Sequence, residues 1–102
     1  MSLYPNAQRI IKEIEEYIAK CGGVYSSWYV GIASNHRTRL FQDHNVSEQN
    51  DAWIFRGASS SNEARTIEDY FHNVRHAKGA GGGGDNTTTI VYAYRITPST
   101  RQ

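Results

Sequence analysis

The sequence predicts a small α/β (α+β) domain in which a sheet of about three strands is packed against three helices. Its 102 residues match the length of one domain and suffice for a single core. Charged residues make up 21% and aromatic residues 12%, a balance typical of a folded chain. Helical and strand-like apolar patterns alternate in the order α-β-α-β-α-β, so residues 1–102 are predicted to form one domain.

Three segments have helical spacing. Residues 6–21 repeat isoleucine at helical intervals and end before a Gly-Gly pair, which favours an N-terminal helix. A short helix is predicted over residues 36–44, after a polar Ser-Asn cap. The third helix begins at an S-x-x-E capping box that starts at Ser60, and continues to about residue 75.

Three segments have the composition of strands. The first is centred on residues 28–32 and the strongest covers residues 88–96. Between them, residues 52–58 are predicted to form a strand buried on both faces, because large apolar side chains alternate on its two sides. Residues 76–88 are rich in glycine and are predicted to form a flexible connection, and the tail 97–102 is expected to fray.

Bulk composition restricts the classes of function. The net charge of +1 supplies no general attraction to nucleic acid or membrane, so any such contact needs a local patch. Cys21 is the only cysteine, which excludes an intramolecular disulfide and a cysteine-rich metal site. The first residues lack the pattern of a leader, and no apolar run approaches a membrane span. A cytoplasmic protein without a membrane partner is expected.

A glycine run at residues 79–84 matches the spacing G-x-G-x-x-G. The dinucleotide fingerprint requires a strand before this spacing and a helix after it, whereas the predicted order here is helix and then strand. Two interpretations stay open: a flexible linker, or an anion-binding nest assisted by Lys78 and Asn86. The residues that would form this ligand loop are Gly81, Gly82 and Gly83.

A more specific pattern begins in the first strand. Tyr29 and Gly31 frame a Y-V-G triplet, and Arg39 follows the tyrosine by ten residues, inside the second predicted helix. This arrangement resembles the second half of the GIY-YIG nuclease signature, and the resemblance covers residues 28–71. In that family the arginine opens an R-[LW]-x-x-H pattern; here His44 stands one position later.

The resemblance continues downstream and also has two departures. Glu68 falls where the family has its metal-binding glutamate. The family's opening GIY strand is not matched, since "GVY" stands too close to Tyr29 to pair with its strand, and an Asn-containing motif is absent. We hypothesise that the C-terminal strand replaces the missing one in a permuted order, with Tyr92 or Tyr94 as its tyrosine.

The resemblance implies a metal-dependent phosphodiester hydrolase, or a nuclease-derived domain, acting on DNA or RNA. Tyr29 or Tyr92 would take a proton from water, Arg39 would hold the phosphoryl oxygens, and His36 or His44 would assist proton transfer. Glu68 would bind Mg²⁺, or Mn²⁺ in its place. Further phosphate or nucleic-acid contacts are expected from a scattered basic set: His36, Arg37, Arg56, Arg65 and Lys78.

Two other functions are compatible with the sequence. A non-catalytic protein that sequesters a phosphorylated small ligand or nucleotide would use the same arginines and glycines, but would not need Glu68. An interaction module would use the C-terminal strand as an exposed edge that adds to another sheet, for example in a homodimer.

Overall fold

The computed structural model describes residues 5–80 and 85–102 and confirms the predicted fold class, a small α+β domain. None of the helices in these two ranges is long and apolar enough to cross a membrane. The main elements in chain order are α1 (Pro5–Lys20), β1 (Trp28–Ala33), a π-helical segment (Thr38–Asp43), β2 (Trp53–Gly57), α2 (Ser61–Asn73) and β3 (Ile90–Arg95).

The three strands form one antiparallel sheet in the order β1-β3-β2. The C-terminal strand β3 is therefore central, and the prediction that it forms an exposed edge is wrong. Its four middle residues are all buried, because α1 and α2 cover one face of the sheet and a second apolar cluster covers the other. Strand order depends on pairing between distant segments, which local patterns do not encode.

The larger core lies between the sheet and the two long helices. The isoleucines of α1 at positions 10, 14 and 18 have no exposed surface, and Trp28 of β1 is 1% exposed. From α2, Ile67 and Phe71 complete this core. Burial of each such side chain contributes about 1.5–3 kcal/mol, so this face supplies most of the stability.

The opposite face of the sheet is covered less evenly. The π-helical segment and the residues after it cover β1 and β3 there, with Leu40 fully buried. The edge strand β2 buries Ile54 against the helices, whereas Phe55 on its other face is 37% exposed. The prediction that this strand is buried on both faces is therefore wrong.

The C-terminal tail is fixed rather than frayed, which corrects a second prediction. A turn beginning at Thr97 is closed by the Thr100 hydroxyl, which accepts from the Thr97 amide at 3.0 Å. Thr100 is buried, and the amide of Arg101 donates to the carbonyl of His44 at 2.7 Å. These side chain–backbone bonds have no periodicity that a sequence pattern would display.

The start of the glycine-rich connection pairs with the outer edge of β1. The amide of Val30 donates to the carbonyl of Lys78 at 2.9 Å, and the amide of Lys78 donates to the carbonyl of Trp28 at 2.8 Å. This parallel bridge places residues 78–80 beside the side chain of Tyr29.

Candidate active site

Three ring side chains from three elements meet on the sheet face opposite the long helices. Tyr29 comes from β1, Tyr92 from β3, and His44 from the end of the π-helical segment. The Tyr29 ring centroid lies 4.6 Å from that of His44 and 6.2 Å from that of Tyr92. All three residues are buried, and we refer to them as the Tyr–His cluster.

The hydrogen bonds of His44 define its tautomer. Nδ1 lies 2.7 Å from the carbonyl oxygen of Arg101, an atom that only accepts, so Nδ1 carries the proton. In the neutral ring Nε2 is then an acceptor, and it receives the hydroxyl proton of Tyr92 at 2.8 Å. The hydroxyl of Tyr94 also lies 3.1 Å from Nδ1 and donates to Oε1 of Gln102.

Burial keeps this network uncharged. Desolvation lowers the pKa of His44, outweighing the backbone carbonyl of Arg101, which favours the protonated ring. Desolvation likewise raises the pKa values of Tyr92 and Tyr94, and the neighbouring Tyr29 adds to this effect. The cluster therefore contains a neutral imidazole that accepts a hydrogen bond from a neutral phenol.

The π-helical winding places Arg39 and His44 together. The amide of His44 donates to the carbonyl of Arg39 at 2.9 Å, which is an i→i+5 bond. In such a turn the residue at i+5 lies above residue i, as the residue at i+4 does in an α-helix. Arg39 and His44 are therefore stacked one turn apart although four residues separate them. The positive charge of Arg39 lowers the pKa values of both His44 and Tyr92.

The absence of a side chain at Gly31 determines where the Tyr92 hydroxyl lies. The two residues are cross-strand partners, and a Cβ added to Gly31 would lie 2.5 Å from the Tyr92 hydroxyl oxygen. The phenol therefore extends across β1 toward the outer edge of the sheet. Any larger residue at position 31 would displace this ring.

Glu68 lies on α2, on the sheet face opposite the cluster and one turn before His72, whose Nε2 lies 2.8 Å from the carbonyl of Val30 in β1. Its side chain is 3% exposed, and its Oε1 has no hydrogen-bond partner among the described residues. Desolvation raises the pKa of this carboxyl, and the nearby His72 and Arg65 oppose the shift. Its charge in turn raises the pKa of Tyr92, so the carboxylate and the phenol lie within electrostatic range of each other.

The unpartnered oxygen of Glu68 requires a proton or a cation beside it. A buried carboxylate without a partner is costly unless a cation or proton satisfies it. The described part of the chain contains no group of three or more His, Cys, Asp or Glu side chains able to hold a metal together. An Mg²⁺ at Glu68 would therefore take its remaining ligands from water, and this 3% exposed side chain would have to turn toward solvent to admit them.

An open cleft of about 310 Å³ adjoins the Tyr–His cluster. Tyr29 forms one wall, and the segment from Lys78 to Ala80 forms another, together with Gln102 of the tail. The exposed Lys78 contributes a positive charge beside Tyr29. Of the three cluster residues, Tyr29 lines this cleft.

The expected site residues divide into two groups. Around the cluster, Lys78 lines the cleft beside Tyr29, and the charges of Arg39 and Glu68 act on the pKa of Tyr92. Glu68 and Arg65 belong to α2 on the other face of the sheet, and the charge of Arg65 acts on the pKa of Glu68. Elsewhere, Arg56 binds Glu13 of α1 at 2.7 Å, on the opposite face of the sheet. Gly81, Gly82 and Gly83 lie outside the described residues.

Two other expected contacts lie on the same face as the cluster but away from it. Arg37 donates to both carboxylate oxygens of Glu48, at 3.3 and 3.1 Å. The imidazole of His36 stacks on Phe55 with 3.6 Å between ring centroids. His44 rather than His36 is therefore the histidine that contacts the tyrosines.

Sequence reasoning missed the contribution of the tail. The carbonyl of Arg101 sets the tautomer of His44, and Gln102 both accepts from Tyr94 and lines the cleft. The Thr-Pro-Ser-Thr stretch is a turn signature that indicated an ordered return of the chain.

Comparisons with known proteins leave this chain without a neighbour. No protein-family model matches it, and no curated protein or solved structure matches it. Any proposal for the function of this protein therefore rests on the contacts described above and on the sequence resemblance.

The neutral state of His44 has a measurable consequence. Because burial lowers its pKa below the ordinary 6.5, the unfolded chain takes up this proton more readily than the folded protein. The free energy of unfolding is therefore expected to decrease as pH falls from about 7, through 6.5, to the pKa of His44 in the folded protein. Below that pKa, His44 should cause no further change in stability.

An NMR titration of the His44 ring carbons, with unfolding measured at pH 7 and 5, checks this expectation. His44→Gln should have a smaller loss of stability over the same interval. A His44 ring that titrates at or above 6.5 would contradict it.

Proposed function

We propose that this protein is a GIY-YIG-like, metal-dependent phosphodiester hydrolase whose active site is the Tyr–His cluster with Arg39 and Glu68. The observation that carries the proposal is the hydrogen bond of 2.8 Å between the Tyr92 hydroxyl and Nε2 of His44. A phenol held by a neutral imidazole, beside an arginine and an unpartnered carboxylate, is suited to activating water next to a phosphate.

The position of β3 supports the permuted relationship. β3 pairs with β1 in the register that sets Tyr29 opposite Tyr94 and Gly31 opposite Tyr92. Under this proposal, the tyrosine strand that the family carries before its Y-V-G strand would be supplied from the other end of the chain. The i→i+5 bond between Arg39 and His44 accounts for the histidine that stands one position late.

The proton relay runs through the cluster. A proton from the attacking water would pass to the oxygen of Tyr92, while the hydroxyl proton of Tyr92 passes to Nε2 of His44. The water oxygen would bond to phosphorus as the P–O bond to the leaving alkoxide breaks, the alkoxide taking a proton from solvent and the imidazolium later returning its proton to solvent. A free phenolate does not accumulate, because the pKa of Tyr92 is raised. Nδ1 stays bound to the Arg101 carbonyl, which orients the ring and favours the imidazolium that forms.

Two positive groups, the Arg39 guanidinium and an Mg²⁺ held by Glu68, would balance the negative charge of the phosphate. Arg39 would hold the non-bridging oxygens, and its planar guanidinium donates two parallel hydrogen bonds to such a group. Glu68 would hold one Mg²⁺, which supplies Lewis-acid stabilisation of the phosphoryl oxygens when bound. Tyr29 and Lys78 line the cleft through which the phosphodiester would enter.

The proposal is tested with labelled single-stranded, duplex and branched DNA and RNA, each incubated with Mg²⁺, Mn²⁺ or EDTA. Cleavage that depends on either metal and stops in EDTA is expected. A folded protein that cleaves none of these substrates under any condition, yet retains phosphorylated nucleotides in equilibrium dialysis, would instead indicate the sequestering function.

A further inference from the structure

A row of aromatic rings, with Phe55 exposed and Trp53 half-buried, lies on the same sheet face as the proposed active site without a role in it. Trp53 and Phe55 project from the same face of β2, with ring centroids 6.3 Å apart and planes inclined by 14°. His36 stacks on Phe55 with an interplanar angle of 11°. We call Trp53 and Phe55 the aromatic platform, and His36 occupies the Phe55 ring face that a flat ligand would take.

The platform is held in place by its surroundings. The indole N–H of Trp53 donates to the carbonyl of Glu48 at 3.0 Å, and Phe41 packs edge-on against the indole at 5.0 Å. Despite this support, Phe55 stays 37% exposed. A fixed aromatic surface that faces solvent is a stacking surface for a flat ligand.

We propose that the aromatic platform binds an unpaired nucleobase of the strand whose phosphodiester occupies the active site. The inference rests on the proposed function for the position of the phosphate, whereas stacking itself depends only on the platform. Phe55 is the cross-strand partner of Tyr92, whose hydroxyl lies over β1, so the platform on β2 lies about two strand spacings, roughly 10 Å, from that hydroxyl.

His36 already displays the geometry that the platform accepts. Its imidazole is a flat nitrogen heterocycle lying parallel to the Phe55 ring, and burial lowers its pKa, so it stacks in the uncharged form. A nucleobase has the same planar character with a larger π-face. Stacking of this kind tolerates any base, since every base has a π-face.

The charges beside the platform suit a phosphate backbone. Arg37 lies 5.6 Å over the Phe41 ring and is paired with Glu48 at the surface. An exposed ion pair of this type contributes little to stability, so the guanidinium exchanges its carboxylate for a phosphate at small cost. Arg37 and Arg39 then flank the platform and the Tyr–His cluster along one π-helical segment.

The test is binding of a fluorescent short oligothymidylate in EDTA, so that cleavage does not contribute. Phe55→Leu should weaken binding about fivefold or more, because this is the affinity that stacking of one base contributes. Phe55→Tyr retains the ring and should bind like wild type. Val74→Leu, a change at an apolar side chain 58% exposed at the end of α2, should also leave affinity unchanged.

A second readout uses the ligand. An abasic oligomer of the same length should bind more weakly than the thymidylate, and should lose less affinity in Phe55→Leu. The quenching of Trp53 fluorescence should follow the base-bearing oligomer, since Trp28 is buried in the core.

The outcomes separate this inference from the proposed function. Equal affinity of wild type and Phe55→Leu, equal affinity for abasic and base-bearing oligomers, or no binding at all would overturn the platform. Metal-dependent cleavage with unchanged KM in Phe55→Leu would overturn the platform and leave the hydrolase standing. Base-dependent binding without any cleavage would overturn the hydrolase alone.

Discussion

Glu68→Gln is expected to abolish metal-dependent cleavage while the protein stays at least as stable as wild type at neutral pH. The change removes the only charge of the buried side chain and keeps its shape. A bound metal stabilises the charge that develops in the transition state by several kcal/mol. Its loss should therefore lower the single-turnover rate by about 10³-fold or more, at about 1.4 kcal/mol for each factor of ten.

The stability part of this prediction follows from the raised pKa of Glu68. The folded state disfavours the carboxylate, so ionisation destabilises the protein as pH rises above the ordinary value of 4.5 toward the folded pKa. Glutamine removes that cost, and the two proteins should converge in stability below pH 4.5. Mg²⁺ should raise the unfolding temperature of wild type and leave that of Glu68→Gln unchanged.

Glu63→Gln is the matched control for Glu68→Gln. Glu63 is also on α2, is 1% exposed and likewise has one unpartnered oxygen, Oε2, whereas its Oε1 accepts from the Ser59 amide at the start of the helix. A glutamine there retains an acceptor oxygen, so cleavage and its metal dependence should persist. Undiminished cleavage by folded Glu68→Gln would remove Glu68 from the mechanism.

Arg39→Ala is expected to lower the cleavage rate by about 10²–10³-fold, the usual effect of deleting one preorganised donor to developing charge. Its fold should be nearly unaffected, because the side chain is 51% exposed and its only ion pair is with Asp43 at 3.7 Å among the described residues. Arg39→Lys should restore little of the lost cleavage rate, since an ammonium lacks the planar pair of donors.

Arg9→Ala is the matched control for Arg39→Ala. Arg9 is also exposed and pairs with an acidic residue four positions later, Glu13, at 3.4 Å. It lies on α1, away from the cluster. Single-turnover rates and thermal unfolding of the two variants give the comparison, and equal rates would show that Arg39 does not act on the phosphate.

Local patterns predicted the elements of this fold better than their arrangement. The isoleucine spacing and the capping box located α1 and α2, and the Ser60 hydroxyl accepts from the Glu63 amide at 3.1 Å as expected. The central position of β3 required knowledge of pairing across the whole chain. The docked tail depends on single hydrogen bonds to His44, which leave no periodic signal.

The candidate site was predictable where its residues lie close in sequence. Tyr29, Arg39 and His44 come from one short stretch with recognisable spacing. Tyr92 and Tyr94 were equivalent in sequence because both point to the same face of β3. Only the strand register distinguishes them, since it places Tyr92 opposite the residue without a side chain, Gly31.

Tyr92→Phe tests the central claim most directly, because it removes the one oxygen that joins the relay and leaves the ring packed over Gly31. The measurement is the single-turnover rate, per folded molecule, on the substrate that wild type cleaves best with Mg²⁺. We predict that wild type cleaves, that EDTA stops it, and that Tyr92→Phe retains the fold but loses cleavage. Cleavage by Tyr92→Phe at the wild-type rate, or none by wild type, would contradict the assignment of this cluster as a hydrolytic site.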